Sequence, residues 1–384
     1  MVASAGPSMR RVRRTLDPHI AAAAATPGAD RYRKRFTTQA HLWIVLLHVW
    51  SGSPSLRQTL ARLLGALHWW RGWGMDGPIS LSQLARSSTS RPAACAETLL
   101  ATALTQARRV GGTDRQWRWL QRAVAIDSTF IRLSARLSPW SCYGRATPGV
   151  RVQTSLDLLG RLPSRLCLAL AALNDHEALR ALDLTDLAGW TVLIDRGYYG
   201  HRQFARLRAA GVHVVAALSA QASYRVMHQH RVPAGLTPDG DTILADYTVV
   251  LGSANNRAGA VLPGLRLVAY RSARGTLGWL VTDRHDLVAT EVVALYRLRW
   301  QIELFFRWLK RQLGAIRPLG HSPEAVWLTI VMAVAGALLA LLTQHAPPGM
   351  SRIALAQLLG MLILISTLLM HLGLAASIDD LPDD

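Results

Sequence analysis

The chain has 384 residues, long enough to bury more than one core, and its 43 Lys and Arg against 24 Asp and Glu give a formal charge of +19. That surplus argues against a cationic partner and points to a polyanion, most simply nucleic acid, with a basic membrane- or ribosome-associated protein as the plainer alternative. Only Lys34 and Lys310 are lysines, and the three cysteines, Cys95, Cys142 and Cys167, form no CxxC pair, as expected of a reduced cytoplasmic chain without structural zinc.

Residues 1–37 carry basic clusters at Arg10 to Arg14 and Arg31 to Arg35, separated by an alanine run and without the apolar core of a secretory signal. They are predicted to be a flexible, DNA-touching arm. From 38 to 118 the pattern is helical: HLWIVLLHVW is apolar, and PSLRQTLARLL and ISLSQLARSSTS have the polar starts and leucine spacing of short helices in helix-turn-helix units, so a DNA-binding domain is expected. The tryptophan-rich segment from His68 to Gly74 reads as core or DNA-facing packing.

At about residue 119 the period changes to two. RAVAIDSTFIRLS reads as a strand interrupted at Asp127, and VRVQTSLDL with RLPSRLCLAL as a hairpin. A capped helix begins near NDHEALRAL, followed by the strand WTVLID ending at Asp195, a helix from His201 to Ala209 and the strand VHVVAAL. Three strands, helix, strand, helix, strand is the order of a ribonuclease-H-like α/β domain, predicted here over 119–316. Between about 219 and 284, Gly, Pro, Asn and Thr punctuate pieces such as TILADYTVVLG and TLGWLVTD, predicting an inserted β-rich subdomain.

HDLVATEVVALYRLRWQIELFFRWLKRQLG then reads as one long amphipathic helix ending near Gly314. At about 100° per residue, Tyr296, Arg299, Glu303 and Lys310 fall at about 0°, 300°, 340° and 320°, sharing a narrow polar face opposite Ile302, Phe305 and Leu309. An ordinary solvated stripe with an Arg299–Glu303 pair would look the same on this helix alone. Asp127 and Asp195 shift the balance, because a carboxylate set in or at the end of an apolar strand is costly unless paired or metal-bound. Asp127, Asp195 and Glu303 make an oxygen-only set suited to two Mg²⁺ or Mn²⁺ ions, the chemistry of phosphodiester cleavage. Asp157, Asp175 and Glu177 read instead as turn and helix-start acids.

The region 317–384 is an apolar helical tail, with uncharged stretches at Ala325 to Leu342 and Ile353 to Ile378, each of bilayer-spanning length. A membrane hairpin is one reading; Gln357, Ser366, Thr367 and His371 in the second stretch favour buried helices instead.

The spacing Y-x2-R-x3-E-x6-K in Tyr296, Arg299, Glu303 and Lys310, with AIDST at Asp127 and IDRGYYG at Asp195, resembles the DDE transposases of the bacterial insertion-sequence-four family. Ser128 stands where that family often has glycine. The resemblance implies a cytoplasmic, nucleoid-associated enzyme of cut-and-paste transposition. It would bind terminal inverted repeats as a homodimer on DNA, without a small-molecule cofactor, and catalyse hydrolysis and strand transfer, commonly through a hairpin intermediate. It further implies Asp127, Asp195 and Glu303 as catalytic metal ligands, Tyr296, Arg299 and Lys310 as DNA-phosphate contacts, and Trp279 as a base-stacking residue. A ribonuclease-H-like nuclease and an inactive DNA-binding or membrane-anchored relative stand as alternatives.

Overall fold

The computed structural model describes residues 9–31, 35–50, 55–64, 67–110, 122–142, 147–170, 175–180, 182–232, 236–237, 239–252, 261–315 and 318–344. The uncharged stretch from Ile353 to Ile378 lies outside these residues. The chain divides into two compact units, 1–112 with 307–384, and 113–306.

The first unit is helical. It contains α1 (Met9–Ala24), α2 (Thr38–Trp50), α3 (Leu56–Leu64), α4 (Leu67–Gly72), α5 (Leu81–Ser90) and α6 (Ala93–Val110). The described part of the N-terminal segment differs from the flexible arm expected of residues 1–37: α1 packs on α2 and α6, with Leu16, Ile20 and Ala23 fully buried. Those three residues recur at i, i+4 and i+7, across Pro18 and into a run of alanines that favours helix, so one stripe of the segment has a core to join. Trp43 in α2 donates its indole N–H to Asp17 of α1 at 2.9 Å. Trp43 also stacks on Trp73, which meets Trp70 edge to face, so the described tryptophans of the aromatic segment are core.

The same unit takes in α11 (Pro323–Gln344), which packs on α2, α5 and α6. Trp50 donates to the Gly336 carbonyl at 2.8 Å and Trp327 to Glu97 at 2.7 Å. At Gly336 a Cβ would stand 3.1 Å from Leu46, so the absent side chain lets α2 and α11 approach closely. Among the described residues no helix is long and apolar enough to cross a membrane. The described residues of the segments read as separate N-terminal and C-terminal regions thus fall in one helical unit.

The second unit is mixed α/β, built on β1 (Ala123–Arg132), β2 (Gly149–Asp157), β3 (Leu162–Leu170), α7 (Asp175–Arg180), β4 (Thr191–Ile194), α8 (His201–Ala209) and β5 (His213–Ala217). This is the predicted element order. β6 (Tyr224–Gln229), β7 (Thr242–Leu251), β8 (Leu262–Arg271) and β9 (Leu277–Thr282) follow, then α9 (Ala289–Arg297) and α10 (Trp300–Ala315), within which the unit ends. The β-rich segment is not a separate layer: β9 pairs antiparallel with β5, giving a nine-stranded sheet in the order β3-β2-β1-β4-β5-β9-β8-β7-β6. β1, β4 and β5 are parallel neighbours and β2 and β3 a hairpin on β1.

Alternation along the strands sorts the core into two faces. Val124, Ile126, Val192, Ile194 and Val214 cluster with Leu179 of α7 and Phe204 and Leu207 of α8. Ala123, Ala125, Leu193, Val215 and Leu280 cluster with Val292 and Leu295 of α9 and Ile302 and Phe306 of α10. Strand parity therefore assigns Asp127 and Asp195 to the face covered by α9 and α10.

The long predicted helix is broken. Leu298, Arg299, Gln301 and Ile302 each donate their N–H to the carbonyl three residues back, at 3.0 Å, instead of four. This tight turn separates α9 from α10.

Candidate active site

β4 ends at Ile194, in register with Ile126 of its parallel neighbour β1. The next residue on each strand is an aspartate, so Asp127 and Asp195 stand side by side where the parallel pairing stops. Glu303 comes from the first turn of α10.

One side chain joins two of these acids. Arg299 Nη1 lies 3.3 Å from Asp127 Oδ2 and 3.1 Å from Glu303 Oε1. Tyr296 completes the group by donating its hydroxyl to Asp195 Oδ1 at 3.4 Å, a long contact, while the Arg299 guanidinium carbon lies 5.8 Å from the centre of the Tyr296 ring. The spacing Y-x2-R-x3-E now has a geometric reason. Three residues per turn across the break bring Arg299 above Tyr296, and four residues in α10 bring Glu303 beside Arg299. A continuous α-helix would have rotated the arginine away from the tyrosine by about 60°.

The electrostatics are those of crowded acids. Burial pushes the Asp127 carboxyl up to about 7, with Glu303 and Asp195 adding to the rise and the Ser128 N–H and Arg299 opposing it. Burial disfavours the charge on Arg299, but Tyr296, Asp195, Asp127 and Glu303 hold its pKa above the ordinary arginine value. Burial also raises the Tyr296 phenol, which keeps it a hydrogen-bond donor. Three carboxylates against one guanidinium leave the cluster negative overall.

That donor set suits divalent cations in its chemistry: every candidate ligand is a carboxylate oxygen, and Asp127 is raised by burial first and by its acidic neighbours second. Thr154, the cross-strand partner of Asp127, is fully buried and its hydroxyl has no hydrogen-bond partner, leaving one more oxygen in the neighbourhood uncommitted. With the side chains as they stand, no group of three His, Cys, Asp or Glu among the described residues is arranged to hold an ion.

The other sequence candidates separate. Lys310 is exposed on α10, two turns beyond Glu303. Trp279 sits in β9 opposite Ala269 and packs on the cluster that holds Ile126 and Ile194, so it projects from the sheet face opposite the carboxylates. Asp157 accepts from the N–H groups of Leu159 and Gly160, the turn role expected of it, and Asp175 and Glu177 lie in the short α7.

Two ion pairs that hold the site's helix had no local signal in the sequence. Arg266 of β8 makes a two-pronged bond to Asp246 of β7, at 2.8 and 2.6 Å, and donates to the Leu287 carbonyl just before α9. Arg297, at the end of α9, pairs with the buried Asp241. The β-rich segment thus clamps both ends of the helix that carries Tyr296.

The fold and site define a mixed α/β protein with three acids gathered at the end of two parallel strands under a helical cap. A sequence profile described as the transposase DDE domain matches residues 118–339, more than half of the chain, and the chain belongs to that family. It is 31% identical over 226 residues to a putative transposase, y4zB, of Sinorhizobium fredii, an alignment covering 58% of this chain and 62% of that relative's length. It is 24% identical over 274 residues to the probable transposase for insertion sequence element IS5377 of Geobacillus stearothermophilus, covering 69% of this chain and 70% of the relative. A cryo-EM structure of the piggyBac transposase synaptic complex with hairpin DNA aligns with 98% of this chain and 85% of its own at 9% identity and a TM-score of 0.42.

Proposed function

We propose that the protein is a DNA transposase that excises and reinserts an insertion sequence by cut-and-paste, acting at its terminal inverted repeats through a ribonuclease-H-like core. The observation that carries this reading is the convergence of Asp127, Asp195 and Glu303, from β1, the end of β4 and α10, on the Tyr296–Arg299 pair. Strand order and family membership support it. Asp127, Asp195 and Glu303 are the residues that would hold two Mg²⁺ or Mn²⁺ ions. Such ions supply activation of the attacking oxygen and stabilisation of the leaving one.

The chain's own groups divide the remaining work. Asp127 and Asp195 sit on adjacent strands and keep two carboxylates at fixed separation, while Glu303 closes the group from the helix. Tyr296 orients Asp195 through its hydroxyl. Arg299 and the exposed Lys310 provide cations for DNA phosphates, the arginine in a two-pronged contact. Two copies, each engaging one end of the element, would make the working assembly a dimer on DNA.

The test is excision of a marked element flanked by its own terminal repeats. Glu303→Gln, at matched expression, is expected to lose excision by at least about a hundredfold while still retarding terminal-repeat DNA, since the carboxylate and not the fold is removed. Equal excision by the two proteins would return the α10 stripe to a solvated face. Cleavage by the wild type at many unrelated sequences would favour a nuclease.

A further inference from the structure

The space between Asp127 and Glu303 is bridged by a positive charge. A single nitrogen, Arg299 Nη1, lies within hydrogen-bonding reach of both, 3.3 Å from one and 3.1 Å from the other, and the side chain is 13% exposed. Oxygens that serve this nitrogen are the ones a divalent cation would take. Accepting from a guanidinium and ligating a cation draw on the same lone pairs and answer the same excess negative charge.

We propose that Arg299 is an internal counter-cation that competes with divalent ions for Asp127 and Glu303, so that ion loading requires the guanidinium to leave the carboxylates. The inference rests on the metal-ligand reading of the three acids. It deepens that reading by giving Arg299 an order of action: first tie β1 to α10, then release, then meet the DNA.

Local structure suits the exchange. Arg299 sits in the tight turn between α9 and α10, where the backbone bonds run three residues back, not in the body of either helix. The neighbouring Tyr296 ring, 5.8 Å from the guanidinium carbon, remains to support the cation after the carboxylates are lost. An arginine stays charged throughout, so release turns an internal ion pair into a free donor for a phosphate. Ion binding and DNA-end binding become coupled, each removing a partner that the other must displace.

Mn²⁺ titrated into the full-length protein without DNA, followed by the electron paramagnetic resonance of the free ion, tests this directly. Arg299→Gln is expected to bind Mn²⁺ about tenfold tighter than the wild type, the scale set by losing one charged hydrogen-bond competitor, and Glu303→Gln is expected to lose the site. Equal or weaker binding by Arg299→Gln, with wild-type binding still dependent on Glu303, overturns the competition and leaves the metal site standing. Absence of any Glu303-dependent binding overturns both.

A measurement on the wild type covers failure of the variant to fold. The ¹⁵N side-chain resonance of Arg299, assigned by its loss in Arg299→Lys, should show restricted rotation in the ion-free protein and motional averaging when Mg²⁺ is added. A guanidinium that stays restricted through Mg²⁺ saturation overturns the proposal.

Discussion

Asp127 carries the clearest cost in the molecule. Its carboxyl is held at about 7 by burial and by its acidic neighbours, against an ordinary value near 3.8. Between those two values the folded chain binds a proton that the unfolded chain has released, so the contribution of this group to stability falls as pH rises from about 4 to 7 and is constant outside that window. A shift of that size corresponds to a penalty of at most about 4 kcal/mol above pH 7. Asp127→Asn removes it. With EDTA present, the variant should unfold at higher denaturant concentration than the wild type at pH 8, and the gain should shrink towards zero at pH 4. A variant less stable than the wild type at pH 8 would mean that the Arg299 contact outweighs desolvation. Under the proposed metal-ligand role the charge is what the site needs, since an asparagine would leave the cluster one carboxylate short.

At the scale of elements, the hairpin after Asp127, the helix from His201 and the strand before Asp195 were legible because period-two burial and helix-start patterns are local, whereas β1 runs unbroken through Asp127, where an interruption was expected, because pairing with β2 continues to Arg132. The break between α9 and α10 was not, because YRLRWQIELFF keeps its amphipathic pattern across Leu298 and Arg299, and only the backbone bonds reveal the tighter turn. The pairing of β9 with β5 was equally hidden, since strand register across some 65 residues leaves no trace in either strand alone. The ion pairs that fix α9 belong to the same class of long-range fact. Arg266 and Asp246 are 8% and 3% exposed and meet in a two-pronged bond, so removing one partner strands the other in the core. Asp246→Ala should therefore cost about 3–5 kcal/mol, read as a lower denaturation midpoint. Arg266→Met combined with Asp246→Leu should recover much of that loss, since the stranded charge is gone. No recovery in the double variant would instead assign the role to the Arg266 bond to the Leu287 carbonyl.

For the whole molecule, the charge of +19 follows from composition alone, and it predicts how DNA binding responds to salt. Each phosphate neutralised by an arginine or lysine releases condensed counterions, and the logarithm of affinity falls with the logarithm of salt by about 0.9 per contact. A chain this basic that closes on a DNA end should make at least about six such contacts, for a loss of about a thousandfold between 50 and 200 mM salt. A duplex carrying the terminal repeat and a scrambled duplex of equal length should lose affinity with nearly the same slope, because phosphates are common to both. What separates the two curves is their vertical offset, which base contacts set and salt leaves nearly unchanged. Lys310→Ala provides the local check: exposed on α10, it should lower the slope by about one contact on both duplexes and leave their offset alone. An offset that changes instead would place Lys310 against a base edge, and a slope near zero for the wild type would detach the positive charge from DNA altogether.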